Sequence, residues 1–352
     1  GLIPGVGGVS LTTQQTNRGK RSIGLDLSSD EGRQVLHRLA ETADVFMTNF
    51  LPDVRRKLSV DLEDIRRANP TVVYVRADAL GRKGPEEGRP GYDHGVYWAR
   101  SGIGHAVSGS RSGRPANPRP ALGDKTGSLS VAFGVASALF KRARTGRPSV
   151  VDVSLLGTAL FVNSSDIVYS KRIGRDFSRE PLPGPHYRTA DDRWISLEMP
   201  NPERWFADVC RDLGRDDLVS DERFATPEAR AVHREAFHAE IETTIAAATL
   251  PEWRSRLARS NVACEPMQNL MEVLEDPQVA ANGYLTEIEH PAGESITLVR
   301  APVQFDEELP ELRCAPQAGA DTDDILREMG YTRTDVDHFR RLGVIPAAVP
   351  LV

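Results

Sequence analysis

Between Arg18 and Arg144 the apolar positions follow two periods by turns. Ser22-Ile23-Gly24-Leu25-Asp26-Leu27 alternates and predicts a strand. Ser29-Asp30-Glu31 then offers an N-cap with acids in the first turn, and Val35, Leu36 and Leu39 follow at helical spacing. Val45-Phe46-Met47 predicts a second strand. Leu62–Ala68 predicts a short helix stopped by Asn69-Pro70, and Thr71–Val75 predicts a buried β-branched strand. Gly127–Arg144 predicts a long helix rich in small residues, closed by Gly146 and Pro148, and Val150–Leu155 predicts another strand. This strand–helix alternation suggests an α/β fold around a parallel sheet. Gly81–Asp124 breaks the rhythm with many Gly, Pro and Ser residues, and loops of that length in compact proteins are usually functional or disordered. Beyond residue 182 the texture changes. A strand at Trp194–Leu197 and helices at Glu203–Leu213, Pro227–Ala248 and Pro251–Ser260 predict a smaller α+β domain, before a terminal helix over Asp321–Met329.

Composition narrows the classes. The 352 residues carry 44 Lys+Arg and 50 Asp+Glu, a formal net charge of −6, which argues against a nucleic-acid binder. No apolar run approaches the roughly 20 residues that span a bilayer, so no membrane partner is expected. Cys210, Cys264 and Cys314 are odd in number and far apart. They form no CxxC pair or disulfide framework and suggest a reducing, cytoplasmic setting. No Walker A, HExxH or G-x-S-x-G pattern occurs, so no metal site is expected. The opening glycines Gly5, Gly7 and Gly8 do not follow a strand and are weak evidence for a dinucleotide site. The N-terminus shows no secretory signal.

Three segments carry candidate chemistry. Arg18, Lys20 and Arg21 place three cations within four positions and can hold phosphates, or form a solvated basic turn. Leu122-Gly123-Asp124-Lys125-Thr126-Gly127 puts a carboxylate between glycines at a helix start, which is either an ordinary cap or a group that a ligand can approach closely. The helix N-terminus favours its charged form by roughly 0.3–1 kcal/mol. An ionised carboxylate can attack an activated carbonyl. Arg89-Pro90-Gly91-Tyr92-Asp93-His94 brings a phenol, an acid and an imidazole into one loop, where they either line a site or pack.

Together these segments resemble the class III CoA-transferases, a family that includes the α-methylacyl-CoA racemases. Asn17-Arg18-Gly19-Lys20-Arg21-Ser22-Ile23 with Leu25-Asp26-Leu27 is similar to its N-R-G-K-R-S-I-x-L-D-L block. Ala43-Asp44-Val45 through Asn49-Phe50-Leu51-Pro52, Arg89–Asp93, Leu122–Asp124, and His290-Pro291 through Phe305 match further blocks in order. The resemblance implies a doubly wound, Rossmann-like large domain formed by both chain ends, residues 1–181 and 298–352, with the small domain at 182–297 between them. It implies an interlocked homodimer, and coenzyme A as co-substrate with no tightly bound cofactor. The family's first βα unit, with its L-x-D-L-G-A-x-V-I-K-x-E stretch, has no counterpart here, so about 45 family residues are inferred to be missing from this sequence. Asp53 stands where the family often has Gly. By resemblance Asp124 is the catalytic carboxylate, and CoA contacts fall on Arg18, Lys20, Leu25, Asp26, Leu27, Ser28, Asn49, Phe50, Leu51, Lys57, Gly91, Tyr92 and Asp93. Lys57 replaces a phosphate-pairing Arg and loses its bidentate fork. Gly91, Tyr92, Asp93 and His94 match the loop that meets the thioester.

Two chemistries fit this family. Transfer between an acyl-CoA and a carboxylic acid needs a nucleophilic carboxylate, with backbone N–H groups near Gly123 and Gly127 expected to hold the oxyanion. Racemisation needs two proton carriers on opposite faces of an α-carbon. The racemases place a His in a G-H-D sequence, and here that position reads Gly91-Tyr92-Asp93. Tyrosine, with a pKa of about 10, is a poor base at neutral pH, which favours transfer. The alternative is an α-methylacyl-CoA racemase using Asp124 with His94, two residues further on. A non-catalytic acyl-CoA binder is a third class, opposed by the retained Asp124 in its signature.

Overall fold

The computed structural model describes residues 9–108, 115–177, 185–198, 202–258, 260 and 263–346, and the opening glycines lie outside these. The chain forms two compact units, Gly1–Glu180 with Thr286–Val352, and Pro181–Leu285.

Unit 1 begins with α1 (Leu11–Asn17), α2 (Asp30–Ala40), β1 (Val45–Thr48), α3 (Pro52–Lys57), α4 (Leu62–Ala68) and β2 (Val73–Asp78). A π-helix (Asp93–Arg100), α5 (Ile103–Ser108), α6 (Leu122–Thr145), β3 (Val150–Ser154), α7 (Leu155–Val162) and α8 (Ser164–Ile173) follow. Unit 2 holds β4 (His186–Arg188), β5 (Trp194–Glu198), α9 (Pro202–Asp212), α10 (Asp216–Ser220), α11 (Pro227–Val232) and α12 (Arg234–Ile245). It continues with α13 (Leu250–Leu257), β6 (Ala263–Pro266), α14 (Leu270–Leu274) and α15 (Pro277–Ala281). The return to unit 1 is made of β7 (Leu285–Glu289), β8 (Ser295–Val299), α16 (Thr322–Glu328) and α17 (Arg333–Arg341).

The fold is mixed α/β. In unit 1, β1, β2 and β3 form a parallel sheet in that order, with Val45 opposite Val73 and Tyr74 opposite Val150. Alternation along β2 divides the core between two faces. Val73 and Val75 pack with Val131, Val135, Ala138 and Leu139 of α6. Val72 and Tyr74 pack with Leu36 and Ala40 of α2 and with Ile65 of α4. Full burial of a valine or tyrosine body contributes on the order of 1.5–3 kcal/mol, so this strand is the centre of the unit. Asn69, at the end of α4, donates through Nδ2 to the carbonyls of Ala40 and Ala43, which joins two helix ends beneath the sheet.

Ser22–Leu27 departs from expectation and forms no strand. Its amides are satisfied otherwise. Ser22 N donates to Asp321 Oδ2, Gly24 N to Thr322 Oγ1 and Asp26 N to the Val344 carbonyl. Ile23 and Leu25 pack with Val35, Leu326, Val336, Val344 and Ile345, so this segment is a seam to the C-terminal return. Two other expectations shift. The helix expected over Pro227–Ala248 breaks at His233 into α11 and α12. The loop expected over Gly81–Asp124 contains the π-helix and α5.

Unit 2 is an antiparallel sheet, β4–β5–β6, whose core centres on Ile195, Phe224, Ile241, Ile245 and Trp253. Among the described residues no helix is long and apolar enough to cross a membrane.

Candidate active site

In parallel α/β sheets, ligands bind beyond the carboxyl ends of the strands. In unit 1, β1 ends into Asn49–Leu51 and β2 ends into the Gly-rich stretch that leads to Asp93. These two loops meet. Gly88, with φ +74°, lies where a Cβ would touch Pro52 Cγ at 3.4 Å. Gly91 is pressed against the end of β2, since a Cβ there would come within 2.7 Å of Ala79 Cβ and 2.5 Å of Val96 Cγ2. Glu86 pairs with both Arg89 and Arg100, and these hydrogen bonds hold its carboxyl below the usual range.

The π-helix next packs against the start of α6. Asp93 is only 8% exposed, and its Oδ1 accepts from Gly123 N at 2.8 Å. Asp93 Oδ2 is buried and has no hydrogen-bond partner. Gly123 is sterically obligatory here, because a Cβ would sit 2.2 Å from Tyr97 Cγ and 2.3 Å from Asp93 Oδ1. The buried Tyr97 also reaches Thr126 Oγ1 at 3.4 Å through its hydroxyl. Two segments separate in sequence therefore form one junction, with Asp124 at its rim.

α6 begins five residues earlier than the apolar pattern predicts, at Leu122, after Ala121 in a left-handed conformation with φ 65°. Asp124 thus lies inside the first turn and is not the cap. Its side chain is accessible, yet nearby protein removes enough water to raise its pKa from the usual carboxylate value. The Asp93 charge raises it further, and the His94 charge opposes both. Neither Gly123 nor Gly127 itself offers a free N–H. Gly123 N–H is bonded to Asp93, and Gly127 lies beyond the four free N–H groups of the helix start.

Among the other expected residues, Phe50 and Asn49 are exposed at the same sheet edge. Tyr92, next to Asp93 in sequence, is strongly exposed, and His94 is exposed within electrostatic range of Asp124. Lys57 is exposed at the end of α3. Leu25 and Asp26 touch the C-terminal return, and Leu27 and Ser28 follow them just before the start of α2. There Asp26 Oδ1 accepts from Ser28 N and Ser28 Oγ, which lowers the Asp26 pKa. Arg18 donates to the Gln15 carbonyl and Lys20 Nζ to Asn17 Oδ1 at 2.9 Å, so both turn back on α1. Sequence reasoning missed Arg55, which donates to the Phe50 carbonyl at 2.7 Å and is almost wholly buried.

Ser164, Ser165, Val168, Tyr169 and Arg172 of α8 form an open, shallow surface depression, and none of them belongs to the Asp93–Asp124 junction. Among the described residues no group of three His, Cys, Asp or Glu side chains is placed to hold a metal ion.

Comparison with known proteins follows the same line. Residues 4–322 match CoA-transferase family III. The chain is 29% identical over 335 residues to the (R)-2-hydroxy-4-methylpentanoate CoA-transferase of Clostridioides difficile, covering 94% of this chain and 84% of that protein. It is 30% identical over 347 residues to the cinnamoyl-CoA:phenyllactate CoA-transferase of Clostridium sporogenes, covering 94% and 82%. An orthorhombic crystal structure from Mycobacterium tuberculosis superposes with a TM-score of 0.78 at 29% identity, over 88% of this chain and 84% of that one. A CaiB/BaiF family protein from Brucella suis superposes with a TM-score of 0.75 at 27% identity, over 90% and 83%. A match over this much of the chain makes it a member of CoA-transferase family III.

Proposed function

We propose that the protein transfers coenzyme A from an acyl-CoA to a carboxylic acid through a covalent intermediate on Asp124. The observation that carries this reading is the junction at Gly123, which presents an accessible Asp124 carboxylate at the sheet edge used for ligands. An Asp124 carboxylate oxygen attacks the thioester carbon, the C–S bond breaks, and CoA thiolate leaves an acyl-aspartyl anhydride. The thiolate attacks the Asp124 acyl carbon and expels the first carboxylate, giving an aspartyl-CoA thioester. An acceptor carboxylate then attacks that carbon and again releases the thiolate. Attack of this thiolate on the acceptor's acyl carbon forms the new acyl-CoA and restores Asp124. Each step exchanges one acyl bond for another, which divides a hard transfer into easier ones.

A second reading is α-methylacyl-CoA racemisation by Asp124 with His94, which is exposed and directly follows Asp93, the residue bonded to the head of α6. One experiment separates them. The protein is incubated with a 2-methylacyl-CoA in deuterated water, with and without an acceptor acid, and examined by mass spectrometry. Transfer predicts an acyl or CoA adduct on the Asp124 peptide that the acceptor clears, without deuterium at the α-carbon. Deuterium without an adduct selects the racemase, and neither signal refutes both.

On the same reading unit 1 is a doubly wound, Rossmann-like domain, in keeping with helices on both faces of its parallel sheet. A homodimer is also proposed. Its support is the apolar surface of α6, α7 and α8, where Phe133 is 76% and Phe161 80% exposed. Sedimentation is expected to show twice the chain mass of 38.7 kDa, and a monomer at micromolar concentration removes the dimer from the proposal. A cytoplasmic setting is consistent with the free thiols of Cys210, Cys264 and Cys314.

A further inference from the structure

α3 carries three consecutive cations, and they meet three different surroundings. Arg56 pairs with Asp53 at the surface, and Lys57 is exposed. Arg55 is 2% exposed. Its Nη1 donates to the Phe50 carbonyl at 2.7 Å and its Nε to Asp61 Oδ1 at 3.2 Å. Its Nη2 is buried without any partner. Its own amide donates to the Leu51 carbonyl at 3.0 Å, and its carbonyl accepts from Val60 N at 3.0 Å. The charge also reaches Asp78 at the end of β2, where it opposes the rise in that carboxyl's pKa.

A buried guanidinium with one unused donor is a poor way to stabilise a core, because an apolar side chain of similar volume often serves as well or better. What this one achieves is geometric. It grips the turn Asn49–Leu51 from below by the Phe50 carbonyl and ties that turn to Asp61, the cap of α4. The turn's outer side, with Asn49 and Phe50, stays exposed at the carboxyl edge of the sheet.

We propose that Arg55 is a positioning residue for the nucleotide half of coenzyme A. It holds the Asn49–Leu51 turn in the shape that receives the ligand and does not touch the ligand itself. This rests on the CoA-transferase reading of the same sheet edge. Preorganisation of this kind lowers the cost of ordering the turn on binding, so it is read in affinity and not in the chemical step.

The test uses the full chain and isothermal titration with coenzyme A, with adenosine 3′,5′-bisphosphate and with pantetheine. Arg55→Met is expected to weaken CoA and the bisphosphate at least tenfold and to leave pantetheine unchanged. KM for acyl-CoA is expected to rise in step, with kcat at saturation falling less than threefold. Arg55→Lys, which retains a donor for the Phe50 carbonyl, is expected to recover most of the affinity. Asp61→Asn removes the ion pair but not the grip on Phe50, and is expected to lower the melting temperature without a tenfold loss of CoA. Unchanged CoA affinity in a folded Arg55→Met overturns the proposal, as does an equal loss in Asp61→Asn. Should Arg55→Met fail to fold, Arg55→Gln, whose side chain is too short to keep the Phe50 contact, decides by the same titration: a tenfold loss for CoA and the bisphosphate with pantetheine unchanged supports the proposal, and unchanged CoA affinity or an equal loss for pantetheine overturns it. A wild-type chain that binds no CoA overturns the family reading of the edge as well, and so is distinct from failure of Arg55 alone.

Discussion

Asp124→Asn is expected to reduce CoA transfer by about 10⁴-fold or more, the scale on which covalent catalysis fails when its nucleophile is removed. The substitution is nearly isosteric, so circular dichroism and melting should match the wild type or improve on it. The sign follows from the surroundings. Burial and the Asp93 charge raise the Asp124 pKa in the folded chain above its ordinary value. Between the unfolded and folded pKa values the folded state therefore holds more protons than the unfolded state, and stability falls as pH rises through that window. Above the folded pKa the ionised group opposes folding, and asparagine removes that opposition. Below the unfolded pKa the two proteins should melt alike. Transfer activity retained by a folded Asp124→Asn variant, measured by formation of the new acyl-CoA, would sink the proposed mechanism.

Asp93→Asn is expected to move the acidic limb of the kcat/KM profile to lower pH. Asparagine can still accept from Gly123 N, so the junction survives while the like charge beside Asp124 disappears. The Asp124 carboxylate then ionises more readily and is active at lower pH, although burial keeps part of the rise. Asp93→Ala also removes the acceptor for Gly123 N. It leaves a buried donor unpaired at a cost of about 1–3 kcal/mol and frees the start of α6. Misplacement of a reacting group by about 1 Å costs on the order of 10²-fold in rate, and that is the loss expected for the alanine variant. A pH profile unmoved by Asp93→Asn would show that the two carboxyls are uncoupled during turnover.

Much of this arrangement was legible before any coordinates. The fully apolar Val72–Val75 run could only be a strand covered on both faces, and so it is. Ser29 caps α2 as its side chain suggests. The glycine beside Asp124 suggested room for a ligand, but the space at Gly123 is taken by Tyr97 and Asp93. Other features depended on long-range partners. Ser22–Leu27 alternates like a strand, but its amides are taken by Asp321, Thr322 and Val344, some three hundred positions away. Arg55, Arg56 and Lys57 are chemically alike in a row, and only the docking of α3 decides which of them faces inward. The commitment of Gly123 N–H to Asp93 likewise needs the π-helix in place, and that helix lies inside the Gly- and Pro-rich stretch Gly81–Asp124, which reads as a loop.

The seam between Ser22–Leu27 and the C-terminal return sets an order of events during synthesis. Val35 cannot meet Leu326 until 291 further residues, Leu326 the last, have been made, which takes roughly 15–60 s at about 5–20 residues per second. Unit 2 is a continuous stretch and can complete its own core within that interval. Ile23, Leu25 and Val35 meanwhile wait uncovered. A nascent chain stalled before Leu326 would thus carry a finished second unit and an open first one, a species for chaperones to hold until Val344 and Ile345 emerge to close it.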